Sequence, residues 1–253
     1  MLDAIDTGYE GKFDFAGQQP EAAYLLATVP RTGSTYLSHL LWRSGCLGAP
    51  LEYLNFEPSG PFALAAGSPG AQRDLWQRLL WRRTSPNGVF GLKAFPMQLQ
   101  ALVESNPPLL QAVFSTLFAP ARPPRVVWLG RRDRAAHLVS YARATMSGVW
   151  RQEQETGEKP EIDYSDAALE TAGRWIDFQA DAWEAMFADM RIEPLRLWYE
   201  DVVAEPEAAV AKVAAFVGVA LDPKAAIEVP EIRKQSESEA IAWVERYMNS
   251  RGG

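Results

Sequence analysis

The chain has 253 residues, 47% hydrophobic and 23% charged, which is the composition of a globular protein with one large core. Its net charge of −7 disfavours the broad basic face that general binding to nucleic acid or to a membrane surface requires. No apolar run is long enough to span a bilayer, and a single cysteine, Cys46, excludes an internal disulfide. We therefore expect one domain over residues 1–253, in a reducing compartment such as the cytoplasm, with no secretory signal and no insertion into a membrane.

Alternating strand and helix patterns run along the chain. Short apolar or β-branched runs predict strands at 24–29, 89–95, 126–129 and 195–199. Helical periodicity predicts helices over 36–43, over 166–190 behind Ser165 as N-cap, and over 206–217 with Gly218 as the stop. We expect an extended arm at 1–20 and a loop near the functional site at 58–70. The alternation predicts an α/β fold, a three-layer sandwich with a mainly parallel central sheet flanked by helices.

The first predicted strand runs into the sequence Pro30-Arg31-Thr32-Gly33-Ser34-Thr35, which then opens a helix. Backbone N–H groups and the positive end of the helix dipole converge at such a turn and form an anion site. Ser34 and Thr35 add hydroxyl donors, and Arg31 adds a fixed positive charge. The turn is P-loop-like, but Ser34 stands where a nucleoside-triphosphate loop has its lysine. Taken alone, the motif also fits an ordinary helix cap.

A second candidate anion site follows the third predicted strand. Residues 126–129 end in Gly130-Arg131-Arg132-Asp133, and the helix after them carries Ser140. Because the carboxyl ends of parallel strands meet at one edge of the sheet, we expect an arginine from this turn, Arg131 or Arg132, to lie near the first loop. Ser140, about two turns into the helix, can present its hydroxyl to the same anion. The alternative is a solvated run of charges on a helix surface.

With these two motifs in order, the chain resembles the PAPS-dependent sulfotransferases, and specifically the bacterial trehalose 2-sulfotransferase (Stf0-type) family. Further matching stretches follow the family's order, at 86–93, 149–151, 199–201, 234–235 and 243–247. The resemblance implies transfer of the sulfuryl group of 3′-phosphoadenosine-5′-phosphosulfate (PAPS) to a hydroxyl of a carbohydrate or glycolipid-type acceptor. Adenosine 3′,5′-bisphosphate is then the second product, and we expect no metal requirement.

The resemblance also implies where the nucleotide binds. The six residues of the first motif, Pro30, Arg31, Thr32, Gly33, Ser34 and Thr35, look like the family's 5′-phosphosulfate loop. Arg131 and Ser140 look like its 3′-phosphate motif, and we prefer Arg131 to Arg132 because it directly follows the strand. Lys234 and Gln235 belong to a C-terminal segment, 233–253, that is expected to cover the nucleotide.

For catalysis, the family's glutamate corresponds to Glu52, in a Pro-x-Glu-aromatic turn, and we expect it to be the general base, with Glu57 as the second choice. The alternative for Glu52 is a solvent-exposed loop carboxylate. Arg31 and Lys93 are expected to stabilise the sulfuryl group or an acceptor oxygen, the alternative for Lys93 being a surface lysine with its charge in water. His39 and His137 are expected to pack, or to support neighbouring site residues, rather than to catalyse.

Two other functions remain open at this stage, a small-molecule kinase that uses ATP and Mg²⁺, and a non-catalytic nucleotide-binding domain. The acceptor is a small molecule or glycan, and trehalose, lipopolysaccharide sugars, glycolipids and other polyols all fit. The oligomeric state is open at this stage, and the resemblance is compatible with a homodimer, because relatives in the family form dimers with exchanged elements. Nucleic acid is not an expected partner.

Overall fold

A computed structural model describes residues 11–119, 122–150, 161–221 and 237–251 of the protein. The strands in these ranges are β1 (Ala22–Thr28), β2 (Val89–Ala94), β3 (Val126–Gly130) and β4 (Leu195–Trp198). The helices are α1 (Ser34–Arg43), α2 (Pro69–Arg83), α3 (Pro96–Ser105), α4 (Pro107–Leu117), α5 (Arg134–Ser147), α6 (Asp166–Asp189), α7 (Tyr199–Ala204), α8 (Pro206–Val217) and α9 (Glu237–Arg251). The strands and helices predicted from periodicity are all present, with ends displaced by two residues at most.

The sheet of the described residues is parallel throughout and has the strand order β2-β1-β3-β4. Its strands end nearly level, since Ala27 of β1 pairs with Ala94 of β2 and Thr28 pairs with Leu129 of β3. The segments that follow β1, β2 and β3 therefore meet at one edge of the sheet. In α/β proteins this edge is where ligands bind.

Helices cover both faces of this sheet, and the alternation of side chains along the strands separates two hydrophobic cores. Leu25 and Ala27 of β1 point into the core that includes α2 to α6 and α9. Tyr24 and Leu26 point into the opposite core, which α1 and α8 complete. The architecture is thus a three-layer α/β sandwich, and the predicted fold class is confirmed.

Local sequence signals set the ends of the helices that carry the site. The side chain of Asp133 accepts a hydrogen bond from the N–H of Ala136, at 2.9 Å, and so caps α5 directly after the arginine turn. Ser165 caps α6 in the same way, through the N–H of Ala168 at 3.2 Å. No helix in the described ranges is long and apolar enough to cross a membrane.

Residues 11–20, the described part of the predicted arm, lie against the C-terminal end of α2. Phe13 is buried against Trp42, with ring centroids 4.6 Å apart. Asp14 forms ion pairs with Arg82 at 3.0 Å and with Arg83 at 3.2 Å. The predicted 58–70 loop contains a short 3-10 turn and continues into α2 at Pro69.

Candidate active site

The turn between β1 and α1 has a backbone shape that requires glycine at one position. Gly33 is the N-cap of α1 with φ of 80°, in the left-handed region that residues with a Cβ rarely adopt. A Cβ at this position would lie 2.2 Å from Cδ2 of Tyr199, so the ring of Tyr199 also leaves no room for a side chain. The first N–H groups of α1 have no partner within the helix, and they open toward this turn. Arg31 also has positive φ, 71°, and the turn is therefore held in a strained form.

Hydrogen bonds from outside the turn hold this shape. Trp183 donates from its indole N–H to the carbonyl of Thr28 at 2.8 Å. Inside the turn, the hydroxyl of Thr32 lies 2.5 Å from that of Thr28 and donates to the carbonyl of Val29 at 3.0 Å. Thr32 is buried, and its hydroxyl therefore stabilises the turn itself. Ser34 is also buried, whereas Thr35 is exposed.

His137 on α5 also anchors the turn, with its Nε2 2.8 Å from the carbonyl oxygen of Pro30. A carbonyl only accepts, so Nε2 carries the hydrogen. Burial lowers the pKa of His137 to about 4, and the imidazole is neutral near pH 7. His39, the other histidine, packs against the ring of Phe13 at 5.4 Å. Both histidines pack, as expected, and His137 also supports the turn between β1 and α1.

The two motifs that follow β1 (residues 30–35) and β3 (residues 131–140) are in direct contact. Arg31 donates from Nε to the hydroxyl of Ser140 at 2.9 Å, across 109 positions of sequence, and from Nη1 to the carbonyl of Trp150 at 2.6 Å. In return, Arg131 donates from Nη1 to the carbonyl of Arg31 at 3.2 Å. The guanidinium of Arg131 also lies over the ring of Tyr199, 5.1 Å from its centroid. The structure therefore brings Arg31, Arg131 and Ser140 together at the edge of the sheet.

The neighbouring arginines Arg131 and Arg132 point in different directions. Arg132 is exposed and donates to both carboxylate oxygens of Asp201, at 2.6 and 2.8 Å. Arg131 is half-buried, forms no ion pair with any described residue, and has a buried Nε without a hydrogen-bond partner among them. Glu200 accepts from the main-chain N–H groups of Arg132 and Asp133, both at 3.1 Å, and fixes the turn between them. Of these two arginines, only Arg132 is the solvated surface charge that the alternative interpretation of the sequence expected.

Glu52 lies beside β2, because Leu51 pairs with Leu92 in a parallel bridge. Its side chain is buried, and the residue is only 7% exposed. Oε1 accepts from Nε2 of Gln98 at 2.9 Å and from Nδ2 of Asn55 at 3.3 Å. The alternative of a solvent-exposed loop carboxylate is wrong for Glu52, whereas Glu57 is exposed.

Lys93 connects Glu52 to the first turn of α1. Its Nζ lies 3.5 Å from Oε2 of Glu52 and 3.4 Å from the hydroxyl of Thr35. Lys93 is only 2% exposed, so the alternative of a surface lysine is wrong. The buried position of this cation is stabilised by the carboxylate next to it.

Sequence reasoning missed Gln98 and Asn55, although a glutamine after proline at the start of a helix is a recognisable capping signal.

Residues 23–250 match the model of the Stf0 sulphotransferase family. The chain belongs to this family. Trehalose 2-sulfotransferase of Mycobacterium tuberculosis (strain ATCC 35801 / TMC 107 / Erdman) is 29% identical over 253 residues, which cover 88% of this chain and 93% of that protein. Trehalose 2-sulfotransferase of Mycolicibacterium smegmatis (strain ATCC 700084 / mc(2)155) is 26% identical over 257 residues, with 89% and 94% covered. The sulfotransferase domain from the curacin biosynthetic pathway aligns with a TM-score of 0.48 and 17% identity, over 82% of this chain and 77% of its own.

Membership of the Stf0 family confirms the predicted sulfotransferase, and the kinase and the non-catalytic domain are set aside.

Among the residues predicted to bind the nucleotide, Lys234 and Gln235 lie outside the described ranges. The helix that follows them, α9, packs against α5, where Arg143 donates to Glu239 at 2.6 Å and lies over the ring of Trp243. The C-terminal helix of this sulfotransferase is thereby attached to the helix that carries Ser140.

Proposed function

We propose that this Stf0-family sulfotransferase uses PAPS as the donor and transfers its sulfuryl group to a hydroxyl of a carbohydrate. The contact between the two strand-end motifs supports the proposal most, because Arg31, Arg131 and Ser140 meet within hydrogen-bond distance. Two anion sites so close together suit a donor with phosphate groups at both its 5′ and 3′ positions. PAPS supplies the sulfuryl group and a leaving group that already carries negative charge.

The residues at the edge of the sheet fit these two anions. The open N–H groups at the start of α1, with the hydroxyls of Ser34 and Thr35, suit the 5′-phosphosulfate. Arg131 suits the 3′-phosphate, because its cation is half-buried next to Arg31 and has a buried N–H group without a partner among the described residues. Arg31 connects the two groups, since it belongs to the first turn and donates to Ser140.

The chemistry assigned to the site is an in-line displacement at sulfur. The acceptor oxygen forms a bond to sulfur while the bond from sulfur to the phosphate oxygen breaks, and adenosine 3′,5′-bisphosphate leaves. Glu52 takes the proton of the acceptor hydroxyl as the new bond forms. The N–H groups of α1, Arg31 and Lys93 stabilise the negative charge that develops on the bridging and sulfuryl oxygens. These groups are fixed before reaction, and we therefore propose that no metal ion is required.

A carbohydrate acceptor is the class that the two relatives support, since both are trehalose 2-sulfotransferases. Next to Glu52, the amide side chains of Asn55 and Gln98 make this side of the site polar. Trehalose is the first acceptor to test, followed by glycolipid sugars. We also propose a cytoplasmic location, which the single cysteine supports, and a homodimer.

The proposal is tested by incubating the protein with ³⁵S-labelled PAPS and a panel of sugars in the presence of EDTA. We expect a labelled sugar and adenosine 3′,5′-bisphosphate in equal amounts, with no loss of rate from the chelator. Replacing PAPS with ATP and Mg²⁺ should give no phosphorylated product. Binding of PAPS without transfer to any sugar would overturn the carbohydrate assignment, and transfer from ATP would overturn the donor.

A further inference from the structure

Gln98 makes two hydrogen bonds that determine which way its amide faces. It lies in the first turn of α3, where its Oε1 accepts from the main-chain N–H of Phe95 at 3.0 Å. A main-chain N–H can only donate, so the oxygen of the amide must face Phe95. The NH₂ group therefore faces Glu52 and donates to Oε1 of that carboxylate at 2.9 Å.

The two oxygens of Glu52 consequently have different surroundings. Oε1 accepts from two neutral amides, Gln98 at 2.9 Å and Asn55 at 3.3 Å. Oε2 lies on the side of Lys93, 3.5 Å from its Nζ, and Lys93 in turn contacts Thr35 at the anion turn. The oxygen nearest the place where the donor binds is thus Oε2, whereas Oε1 is directed toward α3.

We propose that Gln98 is a positioning residue for sulfuryl transfer. It holds Oε1 of Glu52, so that Oε2 receives the proton of the acceptor hydroxyl. This inference rests on the proposed function of Glu52 as the general base. A base must lie within hydrogen-bond reach of the proton that it removes, and a displacement of about 1 Å can cost about a hundredfold in rate. Gln98 acts through Glu52 and does not contact the reacting atoms itself.

A simpler role for Gln98 is to cap α3, and one substitution distinguishes the two roles. Glutamate is the usual residue for this capping contact, since its carboxylate accepts from the N-cap N–H. Gln98→Glu therefore keeps the bond to Phe95 but cannot donate to Glu52, and it places a second negative charge beside that carboxylate. If capping is the whole role of Gln98, this variant still caps α3, and Gln98→Met, which adds no charge, keeps the wild-type kcat.

The experiment compares Gln98→Glu with Gln100→Glu, which adds the same charge to an exposed position of the same helix. For Gln98→Glu we expect a kcat about 10- to 100-fold lower and an unchanged Kd for PAPS, while the second carboxylate beside the buried Glu52 lowers the Tm. Gln98→Met removes the donor without adding a charge, and it should lose kcat to a similar degree even where its Tm falls. Gln100→Glu should match the wild type. An unchanged kcat in either Gln98 variant would overturn the inference.

A double-mutant cycle with Glu52→Gln separates this inference from the function on which it rests. If Gln98 acts through Glu52, adding Gln98→Glu to Glu52→Gln causes no further loss of kcat. If the two losses multiply, Gln98 acts independently and the inference is wrong. If Glu52→Gln alone keeps the wild-type rate, the assignment of the base is wrong, and the role of Gln98 falls with it.

Discussion

The side of the site assigned to the nucleotide and the side that carries Glu52 are built differently. The donor side consists of residues 29–33, the start of α1, Arg131 and Ser140, and main-chain groups take part in most of its contacts. The acceptor side consists of Glu52, Asn55, Lys93 and Gln98, and the contacts among these four residues join side chain to side chain. Lys93 connects the two sides through Thr35.

This difference indicates how each side responds to change. The main-chain shape of the donor side depends on Gly33 and on bonds to backbone carbonyls, so the turn tolerates few substitutions. On the acceptor side, single substitutions can remove a donor or a charge and leave the backbone in place. We therefore expect changes on the donor side to alter binding of PAPS, and changes on the acceptor side to alter turnover.

The sharpest test of this division, and the largest expected effect, is Glu52→Gln. The amide keeps the shape of the side chain but cannot take a proton, so kcat should fall by about 100- to 10,000-fold. The Kd for PAPS, measured by calorimetry, should change by less than about twofold. Loss of PAPS binding would mean that Glu52 is part of the donor side.

Glu57→Gln is the matched control, because Glu57 lies on the same loop and is exposed. It should keep the wild-type rate. If Glu57→Gln loses the rate and Glu52→Gln retains it, Glu57 is the base.

On the donor side, Arg131→Ala and Arg132→Ala should have different effects, although the two residues are neighbours. Loss of a hydrogen bond to a charged group costs about 1.5–3 kcal/mol, so Arg131→Ala should weaken PAPS by about 10- to 150-fold. Adenosine 5′-phosphosulfate lacks the 3′-phosphate, so the same substitution should weaken its binding much less. Arg132 is paired with Asp201 at the surface, and Arg132→Ala should leave both affinities nearly unchanged. If Arg131→Ala weakens the binding of PAPS and of adenosine 5′-phosphosulfate equally, Arg131 contacts another part of the nucleotide.

The smallest effect concerns His137, which anchors the turn between β1 and α1. It is measured as a change in the free energy of unfolding rather than in activity. Burial lowers the pKa of His137 to about 4, although the bond to Pro30 opposes the shift, whereas a histidine in the unfolded chain has a pKa of about 6.5. As the pH falls from about 6.5 to about 4, the unfolded state binds more protons than the folded state and stability decreases. Between pH 7 and pH 5 the loss from His137 is about 2 kcal/mol.

His137→Gln keeps a donor for the carbonyl of Pro30 but does not titrate. Its free energy of unfolding in urea should therefore decrease less from pH 7 to pH 5 than that of the wild type, by about 2 kcal/mol. Other titrating groups are common to the two proteins and cancel in the difference. Identical pH dependence in both would show that folding does not lower the pKa of His137.

How far the sequence predicted the site differs between the two sides. The strand, turn and helix start of the donor side are present where the sequence predicted them, because these elements are continuous in the sequence and produce a local signal. Even the preference for Arg131 over Arg132 agrees with where the structure places the two side chains. On the acceptor side only Glu52 and Lys93 were predicted, and both depended on the family resemblance. Gln98 contacts Glu52 from 46 positions away, and no local pattern indicates such a pair.

The sequence by itself determined the α/β order of elements, the two anion motifs and the family, since periodicity, turn residues and motif spacing are properties of short segments. The tertiary structure alone decided that Lys93 is buried against Glu52, that His137 and Trp183 hold the turn after β1, and that Arg31 reaches Ser140. Each of these contacts joins segments that the sheet register and the packing of helices bring together. Neighbouring residues such as Arg131 and Arg132 point in different directions, so their contacts depend on backbone geometry that residue types do not reveal.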